Sequence, residues 1–285
     1  MTGISRAFAD AKPSAHIAPR FLSTAALFRR ANLKFGGTAF LLASALSLTA
    51  SPAIGQEQQA QPNIQECAQD DVASFAIRAC TALINSTKFN TLEFSIEDRA
   101  RIFAWRGKAW MTEGDPADAV ADYTRAIELD PANVATLKDR ALAYTKLGEH
   151  AKAVEDWTGL LTRQPDNDQF YRFRGTSLLA AGRHGDALAD FDKSLEINSG
   201  GIDAYLGRAA VYDSLGDQAK ARREFERAIA VKPGYLAIYW ERAVMAERWG
   251  EQNSAIKDYE MVLKINGVYS HARKALRRLG IEHPP

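Results

Sequence analysis

The chain has 285 residues, 46% hydrophobic and 25% charged, the balance of a folded globular protein. Its formal charge of +1 hides an asymmetry: residues 1–55 hold six basic side chains and one acid, leaving 30 basic against 34 acidic groups, net −4, in the remainder. A mildly acidic body lacks the electrostatic footprint of a nucleic-acid binder, so that partner is set aside.

Residues 1–55 read as an N-terminal extension and export signal. Arg29, Arg30 and Lys34 precede an uncharged run from Gly36 to Ala50, rich in Leu, Ala and Phe. That run is short of the roughly 20 residues a membrane span needs, and small residues follow it. Cleavage after Ala53 or Gly55 suits a signal peptide, which predicts a periplasmic or secreted protein; an uncleaved membrane anchor is the alternative. No cysteine closes the run, which argues against a lipoprotein anchor. Residues 1–28 are an over-long start, an organelle-type extension or a real leader.

Residues 56–65 are glutamine-rich and nearly devoid of apolar side chains, the composition of a disordered spacer. Residues 66–99 read as an incomplete N-terminal repeat, in which Ala76, Cys80 and Leu83 keep helical spacing and Ser95 caps the next helix, with Asp98 three residues on. Cys67 and Cys80 are the only cysteines. In an oxidising compartment such a pair tends to be a disulfide. Thirteen residues apart on one straight helix they would be about 20 Å apart, so a bridge requires a turn near Gln69 to Asp71. The alternatives are two buried thiols or a redox pair, the latter without Cys-x-x-Cys spacing.

From residue 100 to 269 the sequence repeats every 34 residues. Gly114, Gly148, Gly182, Gly216 and Gly250 mark the period. Helical patterns of about a dozen residues flank each glycine, such as Tyr205, Ala209, Tyr212 before it and Ala221, Phe225, Ala228 after it. The glycine ends the first helix in a left-handed conformation, and Pro131, Pro165 and Pro233 follow the second. Each unit is therefore helix, tight turn, helix, and the period implies a stack rather than one globular core. Eight residues before each glycine stands Arg106, Arg140, Arg174, Arg208 or Arg242; eight after it stands Asp122, Asp156, Asp190, Glu224 or Asp258. On antiparallel helices these groups share a level roughly 12 Å from the turn, which predicts an ion pair in every repeat, within a hairpin or across to its neighbour.

Residues 270–285 supply a capping helix and tail. Ala272, Leu276 and Leu279 cover the end of the stack, Arg273, Lys274, Arg277 and Arg278 face water, and Gly280 stops the helix. No catalytic constellation is present: no phosphate loop, nucleophile elbow, His-Glu-x-x-His or Cys-x-x-Cys set. His150 and His184 recur one repeat apart without carboxylate or thiol support, so turn packing is expected and no metal or cofactor is called for. Trp110 and Trp157 are expected in the core, Trp105 and Trp240 nearer the surface.

These motifs resemble the tetratricopeptide repeat. Its large–small–large, small–aromatic–small and proline positions read Phe103, Gly107, Trp110, Ala119, Tyr123, Ala126 and Pro131 in the first full repeat. Departures are Leu160 for a small residue, Ser199 and Gly267 for the closing proline, and Ala246 for an aromatic. The resemblance implies an all-α fold, a right-handed α-solenoid of five full repeats between a half-repeat and a capping helix. The opening cysteine pair before arginine- and aspartate-marked repeats is also similar to exported repeat proteins of Gram-negative bacteria.

In the resembled family the concave groove of first helices binds extended peptide or protein segments. The pattern places Arg101, Lys108, Lys138, Leu142, Lys146, Arg172, Leu206 and Trp240 in that groove, basic toward the N-terminal repeats and apolar at Leu206 and Trp240. The expectation is a non-catalytic periplasmic scaffold that binds a protein segment with an acidic portion. The alternative is an assembly or regulatory subunit of an envelope export or polysaccharide machine. The family's chaperone-tail clamp wants asparagine where Leu142 and Thr176 stand.

Overall fold

A computed structural model describes residues 64–68, 72–86, 88–91 and 94–282. The signal-like run and the glutamine-rich spacer up to residue 63 lie outside them. Thirteen α-helices and no strands occur among the described residues. A short pair opens the chain, α1 (Ile64–Cys67) and α2 (Ala73–Ile84). Five hairpins follow: α3 (Ile96–Glu113) with α4 (Pro116–Leu129), α5 (Val134–Leu147) with α6 (His150–Arg163), α7 (Asp168–Ala180) with α8 (His184–Ile197), α9 (Ile202–Ser214) with α10 (Gln218–Val231), and α11 (Leu236–Arg248) with α12 (Gln252–Ile265). The last helix is α13 (Ser270–Arg278).

Each first helix stops for the reason the period implies. All five glycines have positive φ, from 76° to 96°. This lets the next residue's N–H reach back five positions, as Asp115 N does to Trp110 O at 2.9 Å and Glu251 N to Ala246 O at 2.8 Å. The second helices end in one register whether or not proline follows. Residues 130, 164, 198, 232 and 266 all leave the helix with φ near −140° and ψ near 80–90°. Asn198 Oδ1 accepts from Gly200 N and Asn266 Oδ1 from Val268 N where proline is missing, and Asp130 Oδ1 accepts likewise from Ala132 N beside Pro131, each at 3.2 Å. At Asn198 and Asn266 such Asx turns redirect the chain without proline's fixed φ. At the stack's entrance Ser95 and Asp98 complete a capping box for α3.

The core is a column of second-helix aromatics, Tyr123, Trp157, Phe191, Phe225 and Tyr259, each buried and 34 residues from the last. Each ring wedges between its own first helix and the next one. At Gly175 an added Cβ would come within 3.0 Å of the Phe191 ring, and at Gly207, in the next repeat, within 2.4 Å. Only hydrogen fits at Gly207, so glycine there is a packing requirement and not a helix breaker. On the first-helix side, successive helices meet directly at α3–α5, α7–α9 and α9–α11, more than they do on the second-helix side. The first-helix side is the inner face.

Candidate functional site

Five arginines lock the hairpins that build the inner face. Arg106, Arg140, Arg174 and Arg242 each grip an aspartate of their own hairpin with two parallel hydrogen bonds of 2.7–2.9 Å, to Asp122, Asp156, Asp190 and Asp258. Bidentate charge-assisted bonds are the strong ones, because the planar fork matches the carboxylate. The hydrogen bonds that Arg140, Arg174 and Arg242 donate to their aspartates push the guanidinium pKa values further up. Arg208 breaks the pattern. Its partner is Glu224, reached by one bond at 2.9 Å, and Arg208 Nε and Glu224 Oε2 are buried without a hydrogen bond.

A second partner of these arginines went unread in the sequence. The remaining amino group of Arg140 reaches Thr124, that of Arg174 reaches Thr158, and that of Arg208 reaches Asp192. Each stands 16 residues earlier, on the preceding second helix, and Thr81 does the same for Arg106 from α2. Four of the five arginines, Arg106, Arg140, Arg174 and Arg208, therefore tie their hairpin to the previous element. The signal was there: Thr124, Thr158 and Asp192 recur at the same 34-residue period.

Polar links also run between consecutive first helices along the inner face. Lys146 Nζ meets Met111 O at 3.4 Å, Arg172 pairs with Asp203 at 2.9 Å, and Asp213 takes both Arg248 at 2.7 Å and the Trp249 indole at 2.6 Å. Arg278 of α13 closes the series on Glu247 at 2.6 Å. Lys108 and Lys146 are exposed and Lys138 is half-exposed, 4.0 Å from Asp139. Arg101 is exposed and pairs with Asp98 of its own helix. Leu142 is half-buried.

Two expectations for this face need correction. Leu206 is 6% exposed and packs in a cluster with Phe225, Ile238 and Met245, so it is not an open apolar anchor. The close approach of α11 covers it. Arg172 lies across the Phe173 ring at 4.7 Å as well as against Asp203, so it is a link between repeats more than an open charge. Trp240 is half-buried, with Tyr259 at 5.2 Å and Tyr269 edge-on at 5.3 Å.

Family models for the tetratricopeptide repeat match residues 100–133, 138–202 and 202–235, in step with the first four hairpins. The chain is a tetratricopeptide-repeat protein. The fifth hairpin lies beyond the matched residues, yet it keeps the Gly250 turn and the Arg242–Asp258 grip that define the others. Solved structures similar to the chain include a tetratricopeptide repeat protein from Parabacteroides merdae, at 24% identity, covering 73% of this chain and 83% of that one, with a TM-score of 0.58. A thermophilic TPR protein from Thermus thermophilus gives 20% identity, 64% and 99% coverage and a TM-score of 0.53. MamA gives 25% identity, 59% and 96% coverage and a TM-score of 0.47. No curated protein matches. The Parabacteroides merdae and Thermus thermophilus likenesses establish the repeat fold.

Elsewhere the repeat protein offers little chemistry. Among the described residues no three His, Cys, Asp or Glu side chains gather as a metal site. His150 and His184 start α6 and α8, and both are half-buried at the turns. A crevice lined by Arg222, Arg242, Trp249 and Asp258 recurs two repeats earlier around Val154, Arg174 and Asp190, so it is a product of stacking. Trp157 is fully buried, while Trp105 and Trp110 are both half-buried. At the N-terminal end the Cys67 and Cys80 sulfurs lie at disulfide distance, with Cα atoms 4.7 Å apart. The chain reverses between α1 and α2, and residues 69–71 lie outside the described ones.

Proposed function

We propose that this chain is a non-catalytic scaffold of the bacterial periplasm that holds a segment of a protein partner against the inner face of its five repeats. The observation that carries the reading is the unbroken stack itself: five hairpins in one register, locked by arginine grips, present a continuous face built from first helices. A rigid, repetitive face suits an extended segment better than a small substrate. Lys108, Lys138 and Lys146 give the first two repeats a basic lining, which favours an acidic portion of the partner there. Export is supported by the signal-like run and by a cysteine pair positioned for a disulfide, a bond that persists in oxidising compartments.

The test is affinity capture with the exported form and with Lys138→Glu/Lys146→Glu, two inner-face lysines outside the arginine grips. The double variant is expected to lose about tenfold in affinity for the captured partner and most of its salt dependence, as charge reversal at a complementary face does. Unchanged capture would remove the basic end of this face from the binding surface. Fractionation tests the compartment: release with the soluble periplasm is expected, and retention in the membrane would favour the anchored assembly subunit.

A further inference from the structure

At α13 the repeat pattern inverts. Counting by 34, Arg277 stands where the five hairpins carry Gly107, Ala141, Gly175, Ala209 and Ala243, all of them buried. Those positions lie under the ring of their own second helix: an added Cβ at Gly107 would come within 2.7 Å of Tyr123, and at Gly175 within 3.0 Å of Phe191. Arg273 in turn replaces Phe103, Leu137, Tyr171, Tyr205 and Tyr239. No second helix follows α13 among the described residues, and both arginines are exposed. Neither makes a hydrogen bond or ion pair there.

The flank of α12 that faces the same place inverts the other way. Glu260 is the counterpart of Thr124, Thr158 and Asp192, which reach forward to Arg140, Arg174 and Arg208, beside the grip that joins the next first helix to the next second helix. After α12 that grip is missing, because α13 has Leu276 in the arginine's place. Next to Glu260, Met261 replaces Arg125, Gly159, Lys193 and Arg227. It is only partly buried, and with Lys257, Leu263 and Lys264 it lines an open crevice. A terminal unit that only had to stay wet needs charge where the repeat is apolar, but not an open methionine where the repeat is polar.

We infer that the open flank of α12 and α13 receives an acidic amphipathic helix of a partner protein, in the place a sixth second helix would take. The place suits a helix because its equivalent in each of the five repeats is filled by one. Its exposed cations are Lys257, Lys264, Arg273 and Arg277 against one acid, Glu260, so the complementary surface is acidic. The arginine forks match carboxylates, and Met261 gives an adaptable apolar contact between the charges. A helix can lay a side chain into the crevice at Met261, which a flat anionic membrane surface cannot. This surface closes the end of the stack, apart from the inner face, so the two can fail separately.

The test titrates the full exported chain, by fluorescence anisotropy, with a labelled and capped peptide in which Glu-Leu-Gln-Ala-Leu-Glu-Ala occurs twice in tandem. The control peptide has glutamine for every glutamate. Saturable binding of the acidic peptide is expected, about tenfold weaker for the control peptide and in Arg273→Glu/Arg277→Glu, and severalfold weaker in Met261→Gln. Binding unchanged in Lys138→Glu/Lys146→Glu is also expected. The substituted side chains are at least partly exposed, so the variants stay folded, which far-UV circular dichroism checks. No saturable binding, or equal binding by wild type and Arg273→Glu/Arg277→Glu, overturns the inference. Loss in Lys138→Glu/Lys146→Glu alone also overturns it, since the peptide would then lie on the inner face. Two further results would do the same: phosphatidylglycerol vesicles that bind the wild type, but not the arginine variant, in place of the peptide, and self-association abolished by that variant. The first makes the occupant a lipid surface and the second makes it another copy of the chain.

Discussion

Repeats 3 and 4 show the same grip in two states of completion. In repeat 3, Arg174 Nε and one terminal amino group hold both oxygens of Asp190, at 2.8 Å each. In repeat 4 the acid is one methylene longer. Glu224 offers one oxygen to Arg208 and shares it with Arg227, while its other oxygen and Arg208 Nε are buried without partners. The helix spacing is set by the aromatic column and the turn glycine, which are the same in both repeats, so the longer side chain cannot move away to restore the fork. The contrast teaches that the grip depends on reach as well as on charge.

Breaking the complete grip should have the largest effect. Asp190→Ala strands a part-buried guanidinium and should cost about 3–5 kcal/mol in urea unfolding, the cost of breaking a buried ion pair. Glu224→Ala should cost about half as much, because Arg208 keeps Asp192 at 2.9 Å and an unmet carboxylate oxygen disappears with the side chain. Equal losses would dissolve the contrast between the two repeats. Completing the incomplete grip is the sharper test. Glu224→Asp should stabilise by about 0.5–1.5 kcal/mol, the net worth of a hydrogen bond gained, and would be among the few conservative core changes to do so.

The smallest expected effect extends the contrast to an acid with no grip at all. Burial raises the Glu241 carboxyl pKa, so the folded state binds that proton more tightly than the unfolded state does. Ionised Glu241 therefore weakens the fold above its folded pKa, and the penalty fades as pH falls toward the unfolded value of about 4.3. Glu241→Gln should be more stable than wild type by about 1 kcal/mol at pH 7, with the difference closing near pH 4 in parallel urea titrations. A constant difference across that range would assign the effect to something other than this charge.

The period of 34, the glycine turns, the arginine and acid positions and the helical hairpin were legible in the sequence because each depends on local rules: backbone sterics at Gly114 and its equivalents, helical spacing, and the level two residues share across a tight turn. Repetition multiplies such signals fivefold. The end of α8 and α12 without proline was legible in part, since Asn198 and Asn266 are turn residues, though only the structure shows their oxygens capping the chain.

Tertiary packing decided the rest. Spacing places Leu206 and Trp240 on the inner side of their helices, but how close the next first helix comes determines what stays open, and α11 closes over Leu206 while Tyr259 and Tyr269 line Trp240. That distance is set by the volumes wedged between repeats, such as Phe191 against Gly207, and a sum of non-local volumes leaves no mark at any single position. The sequence by itself determined the unit and its repetition; which side chains remain uncovered, and that Glu241 remains unpaired, was decided only when each unit met its neighbour.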